Sequence, residues 1–117
     1  MASRAWCSVE KGDRVRVIAP GMPYNKQHFR RALDVLEGWG LDVEVPKGIL
    51  GKALICANSR EARAKQLKDA IRSEAKIIWC ARGGYGSLHL LEALSKVKRP
   101  RTSKLLIGFS DITTLHQ

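Results

Sequence analysis

Residues 76–86, with the sequence KIIWCARGGYG, decide the fold of this chain. The first half is a continuous apolar run, which is typical of a central strand in a parallel sheet that helices cover on both faces. The second half carries three glycines in four positions, and glycine clusters end regular structure. The stretch therefore predicts a buried parallel strand whose carboxyl end opens into a glycine-rich loop.

Short apolar runs alternate with amphipathic stretches on both sides of this strand. Residues 14–19, 41–45 and 104–109 are predicted strands, and residues 46–51 a loop. Apolar residues recur at helical spacing over 25–39 and 58–73, and again at Leu88, Leu91 and Leu94. Asn58 and Glu61 have the spacing of a capping box, with Asn58 as the N-cap. The alternation predicts an α/β fold with three layers, in which helices flank a mostly parallel sheet.

The length and composition limit the class of protein. A chain of 117 residues with 44% hydrophobic residues forms one domain with a real core. Three cysteines without a paired-ligand spacing favour a reduced, cytoplasmic setting, with Cys80 as a buried apolar residue. The chain shows neither a signal peptide nor a stretch long enough to span a membrane, so we expect no membrane association.

The chain is strongly basic, with 21 Lys and Arg against 11 Asp and Glu and a net charge of +10. Such a charge is compatible with a polyanion partner. However, only residues 96–101 are densely basic, and no aromatic residues that would stack on bases are interleaved there. We interpret this segment as a solvated loop and do not expect nucleic acid as a partner.

Two sites for chemistry follow predicted strands. In GFSD, residues 108–111, a serine lies at a strand-to-helix junction, where its hydroxyl and the next backbone N–H are exposed; the same pattern also fits a serine that only caps a helix. The loop 82–86 offers closely spaced backbone N–H groups, or is a glycine-rich turn without a ligand. Because the carboxyl ends of parallel strands meet at one edge, both would lie together, which is the minimum geometry for acyl transfer.

Together these residues resemble one family. The run 81–86 (ARGGYG), then Lys104, then residues 107–116 (IGFSDITTLH), resembles the LD-carboxypeptidase family, which includes the microcin-immunity carboxypeptidases. Residues 12–13, 19–20 and 59–64 resemble it as well, so the likeness covers residues 12–117. Gly21 departs from the serine that many relatives have there.

The resemblance implies a fold, a reaction and a site. The fold is a flavodoxin-like or class I glutamine amidotransferase-like N-terminal domain, with residues 1–12 as a tail and 13–117 as the nucleophile domain. The reaction is the release of the terminal D-Ala from murein tetrapeptides by cleavage of an L–D amide bond, in cytoplasmic cell-wall recycling. No metal and no cofactor are implied. The implied site residues are Ser110 as nucleophile, the backbone N–H groups of Asp111 and of Gly83 or Gly84 as oxyanion hole, and Arg82 and Tyr85 as substrate-binding residues.

The family also implies parts that this sequence lacks. In the family, a C-terminal domain supplies a Glu and a His, and the full-length protein is a homodimer. Neither that Glu nor that His has a counterpart in this sequence. His116 is nearly opposite Ser110 in helical phase, so its ring would not meet the Ser110 hydroxyl. Nothing in the sequence suggests a carboxylate that would orient His89 as a base, and His28 is on the first helix, remote from Ser110. We therefore expect a truncated domain that is inactive as a peptidase by itself, since a serine without its base is a poor nucleophile. The alternatives are a non-catalytic module that binds muropeptides or anions, and a fragment of a carboxypeptidase for microcin-type peptide conjugates.

Overall fold

The structure is a computed structural model that describes residues 9–21, 23–51, 56–82, 87–98, 100, 104–108 and 113–116. Strands and helices alternate along the chain, as the sequence predicts. In chain order they are β1 (Arg14–Ile18), α1 (Lys26–Gly38), β2 (Asp42–Glu44), α2 (Arg60–Arg72), β3 (Ile77–Cys80), a 3₁₀ turn (Ser87–Leu90), α3 (Leu91–Ser95), β4 (Leu105–Ile107) and α4 (Thr113–His116).

The four strands form one parallel sheet in the order β2-β1-β3-β4. In the register, Val15 of β1 lies opposite Val43 and Ile77, and Trp79 of β3 lies opposite Ile107 of β4. β1 and β3 are therefore the central pair. The prediction that residues 76–81 form a central parallel strand is confirmed.

Helices pack on both faces of the sheet, which confirms the three-layer α/β prediction. On one face, Val17 and Leu33 belong to the cluster beneath α1. On the other face, Ile18, Ile78 and Leu67 form the core beneath α2, which also takes in residues of the 3₁₀ turn and of α4. Neighbouring residues of a strand point to opposite faces, so each central strand contributes to both cores.

Two helix ends show how local sequence sets these boundaries. The Asn25 side chain accepts hydrogen bonds from the N–H groups of Gln27 and His28 and so caps α1. After α1, Gly40 has a φ of +83°, a left-handed conformation that favours glycine. The Gly40 N–H donates to the Glu37 carbonyl at 2.9 Å, which closes the helix before β2.

Three details differ from the sequence-based expectation. Ser59, not Asn58, caps α2, because its Oγ accepts the N–H of Ala62 at 3.1 Å; Asn58 instead donates from Nδ2 to the Gly48 carbonyl at 2.9 Å. The predicted third helix is a 3₁₀ turn followed by the five-residue α3. The outer strands β2 and β4 have three residues each and are shorter than predicted.

Candidate active site

The carboxyl edge of the sheet brings three chain segments together. β3 and β4 pair up to Trp79 and Ile107, so the connections that follow them leave the sheet side by side. The exit of β1 is tied to the same place, because the Ala81 N–H donates to the Ile18 carbonyl at 2.9 Å. The predicted glycine-rich loop and the predicted nucleophile turn thus start from adjacent strand ends.

Most of the predicted site residues lie outside the described residues. Gly83, Gly84, Tyr85, Ser110 and Asp111 are in this group, so the proposed nucleophile and oxyanion hole stay predictions. The residues that flank them are described: Arg82 follows β3, Gly108 follows β4, and α4 begins at Thr113. The predicted placement of both segments after strands of one parallel sheet is therefore correct.

Arg82 is exposed at the start of the glycine-rich loop. Its Nη1 donates to the Pro23 carbonyl at 3.0 Å, which fixes the side chain toward the segment before α1. A guanidinium has five N–H donors in a planar fork, so this bond leaves donors that a ligand can use. Its role in substrate binding stays a prediction.

Two buried polar side chains of α2 hold the β1 exit, here defined as residues 19–21. Arg63, with 3% of its surface exposed, donates from Nη1 to the Pro20 carbonyl at 2.7 Å and from Nε to the Asn58 carbonyl at 3.0 Å. Gln66 accepts the Ala19 N–H at 3.1 Å and donates to the Ile49 carbonyl at 3.1 Å. These bonds satisfy backbone groups that have passed the end of the β1 ladder.

The sequence-based prediction missed this network. The apolar spacing over residues 58–73 predicts an apolar inward face, whereas the buried residues of α2 include the polar Arg63 and Gln66 beside Leu67 and Ala70. The spacing 63, 66, 67, 70 has helical core periodicity. Polar residues that occupy positions of this core-facing spacing, as Arg63 and Gln66 do, therefore indicate buried side chains that form hydrogen bonds.

Cys80 is a nucleophilic side chain near this edge that the structure describes. It ends β3 and is 8% exposed, which confirms the prediction that it is a buried apolar residue. Burial raises the pKa of the Cys80 thiol to about 12. Since the thiolate is the nucleophilic form, Cys80 is not suited to attack a substrate.

The three histidines take different positions. His116 Nε2 lies 3.1 Å from the carbonyl oxygen of Leu106, so the His116 ring lies next to β4. His28 is exposed on α1, and His89 is exposed on the 3₁₀ turn. The prediction that His116 packs or faces solvent agrees with this placement.

Several of the described basic residues take part in ion pairs. Arg14 lies 3.5 Å from Asp42, Arg16 lies 3.2 Å from Glu44, and Lys76 lies 3.2 Å from Asp13. Lys96 of the densely basic segment lies 3.5 Å from Glu92, while Arg99 and Arg101 lie outside the described residues. In the described part the positive charge is spread over several faces of the domain.

Among the residues that the structure describes, no helix is long and apolar enough to cross a membrane.

Comparison with known proteins extends the fold to a family. The family model described as LD-carboxypeptidase N-terminal domain matches residues 15–117. A Streptomyces coelicolor protein named as a carboxypeptidase is 37% identical over 111 residues, which cover 91% of this chain and 36% of the relative. The murein tetrapeptide carboxypeptidase of Pseudomonas aeruginosa is 33% identical over 104 residues, which cover 87% of this chain and 34% of the relative.

Solved structures give the same result. The muramoyltetrapeptide carboxypeptidase of Oxalobacter formigenes superimposes with a TM-score of 0.68 at 31% identity, covering 84% of this chain and 33% of that one. The microcin C7 self-immunity protein, at a TM-score of 0.75 and 21% identity, covers 92% of this chain and 33% of that one and shows the fold alone. The chain spans about a third of the length of the relatives it matches. By its sequence and its fold, this chain belongs to the LD-carboxypeptidase family and corresponds to that family's N-terminal domain.

Proposed function

We propose that this chain is the nucleophile-bearing part of a cytoplasmic serine-type LD-carboxypeptidase that releases the terminal D-Ala from murein tetrapeptides. The observation that carries the proposal is the parallel pairing of Trp79 with Ile107, which starts the ARGGYG and GFSD segments from neighbouring strand ends. The family match over residues 15–117 contains both segments. The murein and muramoyl tetrapeptide carboxypeptidases among the relatives give the substrate class.

In the proposed reaction, the Ser110 hydroxyl oxygen attacks the carbonyl carbon of the L–D amide bond. Its proton passes to a histidine base, which the family's C-terminal part supplies. The N–H groups of Asp111 and of Gly83 or Gly84 stabilise the oxyanion of the tetrahedral intermediate. The intermediate expels the amine of D-Ala, which takes up the proton, and water then hydrolyses the acyl-enzyme. Without the base, a hydroxyl is a weak nucleophile at neutral pH, so we expect no useful activity from this chain alone.

A hybrid enzyme tests the proposal. Residues 15–117 replace the matching region of the Pseudomonas aeruginosa murein tetrapeptide carboxypeptidase. The remainder of that enzyme is chosen to supply the C-terminal Glu and His that the family resemblance implies. D-Ala released from L-Ala-γ-D-Glu-meso-diaminopimelate-D-Ala is measured with D-amino acid oxidase. We expect release by the hybrid, and a loss of about 10³-fold or more in Ser110→Ala. Ser95→Ala, which removes a hydroxyl bonded to the Glu92 carbonyl on α3, is the matched control. Release by the chain alone that Ser110→Ala abolishes would disprove the expected inactivity, and full activity of Ser110→Ala in the hybrid would disprove the nucleophile assignment.

The microcin-type activity is the second candidate, because the microcin C7 self-immunity protein shares the fold. The same hybrid, offered an aspartyl sulfamoyl adenosine conjugate in place of the tetrapeptide, separates the two. Faster cleavage of the conjugate than of the tetrapeptide would favour the second candidate.

A further inference from the structure

A cleft of about 340 Å³ opens at the carboxyl edge between α1 and β3, and we name it the Trp79 cleft. Its walls include Tyr24 just before α1, and His28 and Phe29 from the first turn of α1. On the side of the sheet they include Trp79 of β3 and Arg82, two residues after β3. Cavities of this size hold small-molecule ligands in other proteins. In sequence, Arg82 immediately precedes residues 83–86, the predicted oxyanion loop.

The cleft has a preformed aromatic wall. The rings of Tyr24 and Phe29 stack with centroids 4.0 Å apart and planes 25° apart. Trp79 is half-buried and lines the cleft from β3, on the face of the sheet that α1 covers. Burial also raises the pKa of the Tyr24 hydroxyl, so this group stays neutral. The stacked rings offer an apolar surface beside the exposed Arg82 side chain.

The charge of the cleft is cationic. Among its described lining residues, Arg82 is cationic and none is acidic. The bond to the Pro23 carbonyl holds the Arg82 guanidinium at the rim and leaves donors for a ligand. A guanidinium with free donors favours a planar carboxylate, which it can bind through two parallel hydrogen bonds.

From this geometry, we propose that the Trp79 cleft binds a carboxylate of the peptide substrate, with Arg82 as its ligand and the aromatic wall against the adjoining aliphatic chain. The inference rests on the proposed function and deepens it, because it names the chemical group of the substrate that Arg82 contacts and the cleft that holds this group. The tetrapeptide has three free carboxylates. We assign to the cleft either the terminal one of D-Ala or the α-carboxylate of the γ-linked D-Glu, and not the one on the side chain of diaminopimelate, which all three probes below retain. The two candidates present the same chemistry to Arg82.

The test uses the 117-residue chain and the fluorescence of Trp79. Trp6→Phe and Trp39→Phe leave Trp79 as the remaining tryptophan, since the sequence has three. The probes are the tetrapeptide L-Ala-γ-D-Glu-meso-diaminopimelate-D-Ala, the same peptide with a terminal D-Ala amide, and the same peptide with D-isoglutamine in place of γ-D-Glu. We expect the tetrapeptide to change Trp79 emission, and one of the two amidated peptides to bind about tenfold or more weakly.

Variants locate the effect at Arg82. Arg82→Gln is expected to weaken binding about tenfold or more, and Arg82→Lys less, because an ammonium keeps the charge without the planar fork. Arg60→Gln is the matched control, since Arg60 is an exposed arginine on α2, on the other face of the sheet. If Arg82→Gln fails to fold by circular dichroism, the amidated peptides and Arg82→Lys carry the test.

Three results would overturn the proposal: no emission change with tetrapeptide up to about 10 mM, equal binding of all three peptides, or equal weakening by Arg82→Gln and Arg60→Gln. Failure of the proposed function is a separate result. It is a hybrid in which D-Ala release does not depend on Ser110, and it leaves the fluorescence result unaffected. Conversely, Ser110-dependent release together with unchanged peptide binding in Arg82→Gln would retain the proposed function and reject the cleft.

Discussion

Replacement of the buried Arg63 by alanine is predicted to be among the most destabilising single changes in this chain. Arg63 is 3% exposed and donates to the carbonyls of Pro20 and Asn58 at 2.7 and 3.0 Å. Hydrogen bonds to a charged group contribute about 1.5–3 kcal/mol each. Arg63→Ala leaves both carbonyls without this donor and removes the packing of the side-chain stem.

We expect Arg63→Ala to lower the free energy of unfolding by about 3–6 kcal/mol, which is twice the contribution of one hydrogen bond to a charged group. For a domain of this size, that loss lowers Tm by about 12 °C or more. Urea unfolding followed by circular dichroism measures the effect. Arg60→Ala, at an exposed position at the start of the same helix, is the control and is expected to change stability by less than about 0.5 kcal/mol. A loss below about 1 kcal/mol in Arg63→Ala would refute the reasoning, because it would mean that water replaces the guanidinium without cost.

Three further predictions concern a cap, a thiol and a carboxylate. Ser59→Ala removes the N-cap bond to the Ala62 N–H and is expected to cost about 1 kcal/mol in urea unfolding; no change would show that Asn58 takes over the cap. Native Cys80 is expected to resist a thiol reagent at pH 8 and to react after unfolding, because burial raises its pKa to about 12, whereas rapid labelling of the native thiol in a mass spectrum would contradict its burial. The pKa of Asp13 is lowered, chiefly by the hydrogen bond from the Glu10 N–H and further by Lys76. Its carboxylate therefore stabilises the fold above the unfolded pKa near 4 and stops doing so as the pH falls through the lower folded value. The stability difference between wild type and Asp13→Asn should accordingly shrink as the pH is lowered, and a difference that grows in acid would contradict this.

The sequence predicted the sheet well because its strongest signals are local. The run from Ile77 to Cys80 is apolar throughout, and such a run in a βαβ pattern has few alternatives to a central parallel strand. The outer strands were predicted too long, since β2 and β4 are paired on one side only and their pairing ends after three residues. The adjacent residues Asn58 and Ser59, just before α2, are both good N-caps. Asn58 forms a tertiary hydrogen bond to the Gly48 carbonyl, and Ser59 caps the helix.

The Arg63 and Gln66 network could not be predicted in the same way. Both side chains bind backbone groups that are far away in sequence: Pro20 is 43 residues from Arg63, and Ala19 is 47 residues from Gln66. A hydrophobicity pattern treats both residues as solvent-facing, although a buried polar side chain is stable where its hydrogen bonds are satisfied. The predicted site residues themselves, apart from Arg82, lie outside the described part of the chain. For them the sequence remains the evidence.

The same bonds that stabilise the domain also position the edge on which the candidate site is built. Gln66 and Arg63 hold the β1 exit, and the Ile18 carbonyl just before it accepts the Ala81 N–H. Ala81 is followed by Arg82, whose side chain binds the Pro23 carbonyl two residues beyond the β1 exit. We therefore expect a disturbance at α2 to reach the start of the glycine-rich loop through this chain of hydrogen bonds. It follows that a substitution of Arg63 or Gln66 that still allows folding should alter ligand binding in the Trp79 cleft. A substitution at an exposed position of α2, such as Arg60→Ala, should not.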